Sequence, residues 1–252
     1  MASKGLDFLK IIRIIDENRL SFFTTRELAE IIHVEPKSIQ NYLESLANNE
    51  LIIRLEKGKY CRTYIKDRWV IGSNLISGGF VSHKSALTYH SLIKENTAEV
   101  FISSDHQKSN KTLYGTLYHF IKIRPHKYFG FYEEANMDGK LRVTDPEKTM
   151  IDCFDLPQYS VNYSALINLL IGMQLDEEKL INYGIKMQNL SVLKRMAYLS
   201  DKFDLLGLQR FRNTVSRLVN NKYTLLDPTG PDAGPFSSKW KIRNNMIESF
   251  SK

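Results

Sequence analysis

Cysteine is nearly absent. Cys61 and Cys153 are the 2 present in 252 residues, and they stand far apart. Zinc sites and redox dithiols need closely spaced pairs, so both cysteines are expected to be ordinary reduced thiols. No stretch approaches the roughly 20 consecutive apolar residues of a membrane-spanning helix, and the opening Met1-Ala2-Ser3-Lys4-Gly5 lacks the apolar run of a secretory signal. A cytoplasmic protein without membrane contact is expected. The phosphate-cradling loop of nucleotide-binding proteins is missing as well, because Gly78-Gly79 leads into Phe80-Val81 without a following Lys-Ser or Lys-Thr. His33, His83, His90, His106, His119 and His126 form no His-x-His or His-x-x-x-His pair. His83 and His90 could share a helix face, but two ligands without a third favour packing over metal binding. Ser82 and Ser85 lack the glycines of a nucleophile elbow and read as a helix cap and a first-turn residue. There is no internal repeat and no low-complexity tract.

What is present is ample material for a core: 42% of residues are hydrophobic and 25% charged, which excludes a disordered chain. The net charge is +7, a lean toward polyanionic partners such as nucleic acid. The excess is spread, with 11 basic against 9 acidic residues up to Lys66, 10 against 8 from Asp67 to Pro146, and 14 against 11 thereafter. Any basic face must therefore come from placement rather than from a tail.

Apolar residues from Leu6 to Ile15 recur at mixed three- and four-residue spacing, predicting an amphipathic helix from about Leu6 to Glu17. Thr24 with Glu27 fits a capping box for a second helix over Thr25–Ile32. His33-Val34-Glu35 is a tight connector, and Pro36 suits the first turn of a third helix reaching Asn48. Its buried face is expected to carry Ile39, Tyr42, Leu43 and Leu46. Leu51–Leu55 and Tyr60–Tyr64, joined through Gly58, read as a hairpin. Three helices followed by a hairpin is the order of a winged helix-turn-helix.

The segment Lys66–Leu75 gives no clear pattern, Gly78-Gly79 breaks the chain, and a helix is expected from His83 to Ile93. Ala98–Ser103, Lys111–Arg124 and Lys127–Glu134 are rich in β-branched and aromatic residues, and Asp138-Gly139 marks a hairpin turn between Phe131 and Val143. Asp145-Pro146 opens a helix through Cys153. Tyr163–Asn220 reads as helical, with a start at Asp176 or Glu177, and Tyr223–Asn244 as loop. The expected fold is α+β in three parts: a winged helix-turn-helix over 1–66, a mixed α/β module over 67–146, and a mainly helical region over 147–252.

In a helix-turn-helix the second helix of the pair enters the major groove and its N-terminal residues reach base edges, while the wing contacts phosphate. Lys37, Ser38, Gln40 and Asn41 lie on the polar side of the third helix. Gln and Asn can pair with adenine through two hydrogen bonds, and Lys suits guanine or a phosphate. Arg54, Lys57, Lys59 and Arg62 cluster in the hairpin, where cations can neutralise phosphates. Double-stranded DNA is thus the expected partner, with a winged helix that binds protein as the alternative. Lys194, Arg195, Arg210, Arg212 and Arg217 are candidates to extend the DNA footprint. The aromatic run from Tyr114 to Tyr132, interleaved with Lys122, Arg124 and Lys127, could stack bases in a second nucleic-acid surface, but alternation in strands favours core packing.

A metal-dependent nuclease is the enzymatic alternative, since Asp138-Gly139-Lys140 fits an acid-x-Lys pattern and Glu99 or Asp105 could supply a second carboxylate. A hairpin tip is a poor place to preorganise a metal, however, so a turn is the preferred reading. A non-enzyme without cofactor or metal is expected.

The chain resembles the AbiEi-like antitoxins of abortive-infection (type IV) toxin-antitoxin systems, known more broadly as transcriptional regulators of viral defence systems. The resemblance spans nearly the whole chain. It rests on the N-terminal segment ending in Gly58-Lys59-Tyr60, on Val81–Leu87 before His90, and on Val143-Thr144-Asp145-Pro146-Glu147-Lys148-Thr149 with Ile151-Asp152. Arg195-Met196-Ala197-Tyr198-Leu199 and Leu226-Asp227-Pro228 with Trp240 and Asn244 are similar to the closing segments. The resemblance implies an N-terminal domain that binds inverted repeats in its own promoter and represses it. It implies a C-terminal domain that counters a nucleotidyltransferase-like toxin, which need not involve a stable complex.

Overall fold

Apolar spacing sets the first helix, α1 (Phe8–Glu17), which buries Ile11 and Ile15 on one stripe. The computed structural model describes residues 7–94 and 97–246, so the expected start at Leu6 lies outside the described residues. Asp7 caps α1 by accepting the backbone N–H of Lys10 at 2.7 Å. A short strand, β1 (Phe22–Thr24), leads into α2 (Thr25–Ile32). Both halves of the capping box are formed: Glu27 N–H donates to Thr24 Oγ1 at 3.1 Å, and Thr24 N–H to Glu27 Oε2 at 2.7 Å. His33, left-handed at φ 60°, ends α2. The chain then reverses into α3 (Pro36–Asn48), with Pro36 at its first turn. Strands β2 (Ile52–Glu56) and β3 (Lys59–Arg62) form the hairpin, its turn completed by Gly58 at φ 72°. The sheet order is β1-β3-β2, antiparallel throughout. Ile11, Phe23, Leu28, Ile39, Leu43 and Tyr60 close the core.

The segment without a clear sequence pattern is a helix, α4 (Arg68–Leu75), capped by Asp67 accepting from Trp69 N–H and Val70 N–H. Val70, Ile71, Gly72, Ser73 and Leu75 are all buried, so no polar stripe alternates with an apolar one. Gly72 is needed for close approach: a Cβ there would sit 3.0 Å from both Ile102 and Tyr118. Then follow β4 (Phe80–Val81), α5 (His83–Tyr89), β5 (Glu99–Ser104), β6 (Lys111–Leu113), β7 (Thr116–Lys122), β8 (Phe131–Asn136) and β9 (Gly139–Thr144). They form one mixed sheet in the order β6-β7-β5-β4-β9-β8. The β-rich run Lys111–Arg124 is split by Tyr114 and Gly115, both left-handed, into an antiparallel hairpin. Helix α5 stops earlier than expected, at Tyr89.

Strand alternation loads both faces of the sheet. Val100, Ile102, Tyr118 and Phe120 pack with α4 and with Leu55 and Cys61 of the N-terminal hairpin. Phe80, Phe101, Ile121 and Ile123 face the other way, against Tyr128, Phe131, Leu156 and Tyr159.

Asp145 caps α6 (Pro146–Asp155), and Asn162, Asp176 and Asn189 cap α7 (Tyr163–Gly172), α8 (Glu177–Lys186) and α9 (Leu190–Lys202). With α10 (Gln209–Leu218) these helices enclose the largest apolar cluster, which includes Met150, Phe154, Leu166, Met196 and Phe211. The tail expected to be loop forms a small sheet: β10 (Thr224–Leu225) pairs parallel with β12 (Ile242–Arg243), and β11 (Phe236–Ser237) pairs antiparallel with β12. Trp240, between β11 and β12, is buried and its Nε1–H donates to Asp201 Oδ2 at 2.8 Å, which ties this sheet to α9. The chain is α+β. Among the described residues no helix is long and apolar enough to cross a membrane.

Candidate nucleic-acid interface

Helix α3 is held by one stripe. Ile39, Leu43 and Leu46 are buried, so Lys37, Ser38 and Asn41 are left exposed on the other side near its N-terminus. None of these three makes a side-chain hydrogen bond to another described residue. Gln40 differs: it is half-buried, and its Nε2–H donates to Glu44 Oε1 at 3.1 Å one turn on. Glu44 is thereby engaged along the helix. Tyr42, expected on the buried face, is half-buried and packs edge-on against Phe8 with ring centroids 5.7 Å apart.

The four hairpin cations divide into two pairs. Arg54 and Lys57 are exposed. Lys59 instead donates to the carbonyl oxygens of Asn74 at 2.9 Å and Leu75 at 3.3 Å, at the C-terminal end of α4. Burial pushes its ammonium pKa down, with Glu56 pulling the other way. Arg62 pairs with Asp16 of α1 at 2.8 Å and is 19% exposed. Lys59 and Arg62 are therefore not positioned as free phosphate contacts. Both faces of β3 are covered, since Tyr60 packs into the N-terminal core and Cys61 against the central sheet. Glu56 adds ion pairs to Lys108 at 2.8 Å and Lys111 at 3.7 Å, seating the hairpin on the sheet. Lys66, which the sequence did not single out, and Tyr114, expected in the strand core, stand beside Arg54. Lys66 is exposed, and Tyr114 is 71% exposed and donates its hydroxyl to Arg54 O at 3.4 Å. The Tyr114-Gly115 pair was the available signal of a hairpin tip.

The nuclease candidates are dispersed. Asp138 Oδ2 accepts the backbone N–H groups of Lys66, at 2.7 Å, and of Asp67. It therefore pins the connection between the hairpin and α4. Lys140 pairs with Glu133 at 2.7 Å, Glu99 with His119 at 3.1 Å and Asp105 with His106 at 2.7 Å. Among the described residues no group of three or more His, Cys, Asp or Glu could hold a metal. His83 is buried, with Nδ1 3.0 Å from Ser82 Oγ, which lies 2.7 Å from Ser103 Oγ. Ser82 occupies the cap position of α5 but makes no capping bond, its hydroxyl being engaged with Ser103. Burial, reinforced by Lys148 and Lys127, pushes the His83 pKa down to about 3, so the ring is neutral. His90 Nε2 sits 2.6 Å from Thr144 O and shares no ligand position with His83.

The C-terminal cations are mostly internal. Lys194 donates to Lys222 O, Arg195 to Leu225 O at 2.9 Å, and Arg212 to Ser200 O at 2.9 Å. Only Arg210 and Arg217 of that set are exposed, and Arg210 pairs with Glu178. The Thr144–Asp152 motif is likewise structural. Thr144 and Thr149 hydroxyls meet at 2.7 Å, Tyr183 donates to Asp145 at 2.9 Å, Asp176 N–H to Glu147 at 2.9 Å, and Lys148 is ion-paired with Asp152 in the interior.

The N-terminal helices and hairpin, the mixed sheet and the helical layer define an α+β protein with one polar helix face and two free hairpin cations on its N-terminal unit. No family model and no curated protein matches the chain. Among solved structures it is similar to the crystal structure of the RV2827C protein from Mycobacterium tuberculosis, at 12% identity and a TM-score of 0.58, over 93% of this chain and 89% of that one. The likeness is one of fold.

Proposed function

We propose that the unit from α1 to β3 is a winged helix-turn-helix and that the chain is a DNA-binding transcriptional autorepressor, the antitoxin of an abortive-infection type toxin-antitoxin operon. The observation that carries the reading is α3, whose buried stripe is fixed against α1 and α2 while Lys37, Ser38 and Asn41 stand free near its N-terminus. Such a helix can lie in a major groove with those side chains at base edges, each good contact worth ~1–3 kcal/mol of discrimination. Arg54 and Lys57 supply phosphate contacts beside it. The operator consists of inverted repeats in the chain's own promoter, and repression follows from occupying them. The remaining modules act against a nucleotidyltransferase-like toxin in the cytoplasm, without a catalytic step or cofactor of their own.

The test is a gel shift and footprint of the purified full chain on DNA upstream of its own gene, at two salt concentrations with nonspecific competitor. A protected inverted repeat with steep salt dependence is the expected outcome. Folded protein that fails to protect that DNA would overturn the repressor reading and leave the N-terminal unit as a protein-interaction module.

A further inference from the structure

A second basic site lies away from α3. The end of β7, the turn Pro125–Lys127 and the junction of α8 and α9 enclose a cleft of about 460 Å³. That volume is within the ~300–1,000 Å³ usual for small-molecule sites. Lys122 and Arg124 are two residues apart in an extended segment, so their side chains project to the same side, and both are exposed. His126 adds a third basic group to the lining. None of these three has a side-chain partner among the described residues, although nearby Lys127 does: it pairs with Asp155 at 2.5 Å, and Asn189 Nδ2–H donates to the other oxygen of that carboxylate at 2.7 Å. The lining holds no carboxylate and the neighbouring Asp155 is already paired, so the charge of Lys122 and Arg124 is uncompensated.

The opposite wall has a different character. Half-buried Leu156 supplies apolar surface, Met187 beside it being core, and Gln188, exposed and held left-handed at φ 53°, adds a free amide. A cationic rim facing an apolar wall with one hydrogen-bonding amide matches a ligand that is anionic at one end and a flat heteroaromatic at the other. β7 is 7 residues long, which separates its ends by about 20 Å at ~3.3 Å per residue. Tyr114, which touches Arg54, lies beyond the far end, so the cleft is not a continuation of the hairpin surface.

We propose that this cleft binds a nucleoside phosphate, with the phosphates on Lys122, Arg124 and His126 and the base against Leu156, its edge read by Gln188. The site goes beyond the repressor reading and does not depend on it. Isothermal titration of the full chain with ATP, GTP, CTP and UTP, and with tripolyphosphate as a probe lacking a base, tests it. At least one nucleotide should bind about tenfold or more tightly than tripolyphosphate, and Lys122→Ala with Arg124→Ala should weaken it by about tenfold or more. Gln188→Ala should narrow the preference among the four bases while leaving tripolyphosphate unchanged. Thermal unfolding of both variants, matching the parent, separates loss of site from loss of fold. The proposal is overturned if no nucleotide binds at millimolar concentration, if tripolyphosphate binds as tightly, or if the double variant binds as well as the parent. It is overturned too if that variant loses promoter DNA, which would make the cleft part of the DNA surface.

Discussion

The Lys59 ammonium lies 2.9 Å from the carbonyl oxygen of Asn74, so a hairpin cation serves as the cap of a helix in the next module. The last carbonyls of a helix lack intrahelical partners and carry its negative pole, which makes a half-buried Lys there structurally valuable. Lys59→Met should cost ~1.5–3 kcal/mol in urea unfolding, the range for hydrogen bonds from a charged group, and leave the salt dependence of DNA binding unchanged. Lys57→Ala should do the reverse, lowering the slope of log affinity against log salt by about 1 with no change in stability. Interchanged outcomes would show that the free and engaged cations have been assigned the wrong way round.

On α3, Asn41 and Gln40 should differ. Asn41 is exposed without a partner, whereas Gln40 donates to Glu44 at 3.1 Å and must break that bond to reach a base. Asn41→Ala is expected to relax sequence preference by ~1–3 kcal/mol, and Gln40→Ala by less. Competition between the operator and single-base variants of it measures both, and equal losses would mean that Gln40 switches partner on binding.

Local chemistry made the N-terminal helices legible. The Thr24–Glu27 box, Pro36 and the apolar spacing of α3 place both helix ends within the chain's own near neighbours, and the bounds of α2 and α3 follow. What escaped the sequence depends on distant partners. β1 is three residues paired to β3, α4 is covered on nearly every side, and the terminal sheet pairs strands of two residues and is tied to α9 through Trp240 and Asp201. The candidate site shows the same division. Helix polarity revealed Lys37, Ser38 and Asn41, but nothing local marks Lys59 or Arg62 as engaged, since their partners are Asn74, Leu75 and Asp16.

The buried pair Lys148 and Asp152 makes a separate prediction. Their side chains are 1% and 7% exposed, and the Lys148 ammonium also lies 5.0 Å from the centre of the Phe129 ring. Removing one partner strands the other charge, so Lys148→Ala should cost ~3–5 kcal/mol. Replacing both together, with Lys148→Met and Asp152→Leu, should recover most of that loss, because an apolar pair of similar volume avoids the desolvation penalty. A double variant no more stable than Lys148→Ala in urea unfolding would mean that the pair is irreplaceable for packing around α6.

His83 sets the response to acid. Its imidazole is fully enclosed, with burial foremost and the charges of Lys148 and Lys127 behind it holding the pKa down to about 3. In the unfolded chain the ring titrates near pH 6.5. Between those values the unfolded state carries a proton that the folded state refuses, so stability falls as pH is lowered from about 6.5, by up to ~1.4 kcal/mol per pH unit from this group. Asp152, whose carboxyl is pushed up by burial, works in the opposite sense. Other carboxylates tilt the profile of parent and variant alike, so the informative quantity is the difference between two proteins. His83→Asn suits the left-handed backbone at φ 51° and does not titrate. It should lower stability at pH 7.5 through lost packing, yet flatten the decline between pH 6.5 and pH 4. Urea midpoints across that range give the comparison, and parallel profiles would show that His83 takes up its proton without unfolding the chain.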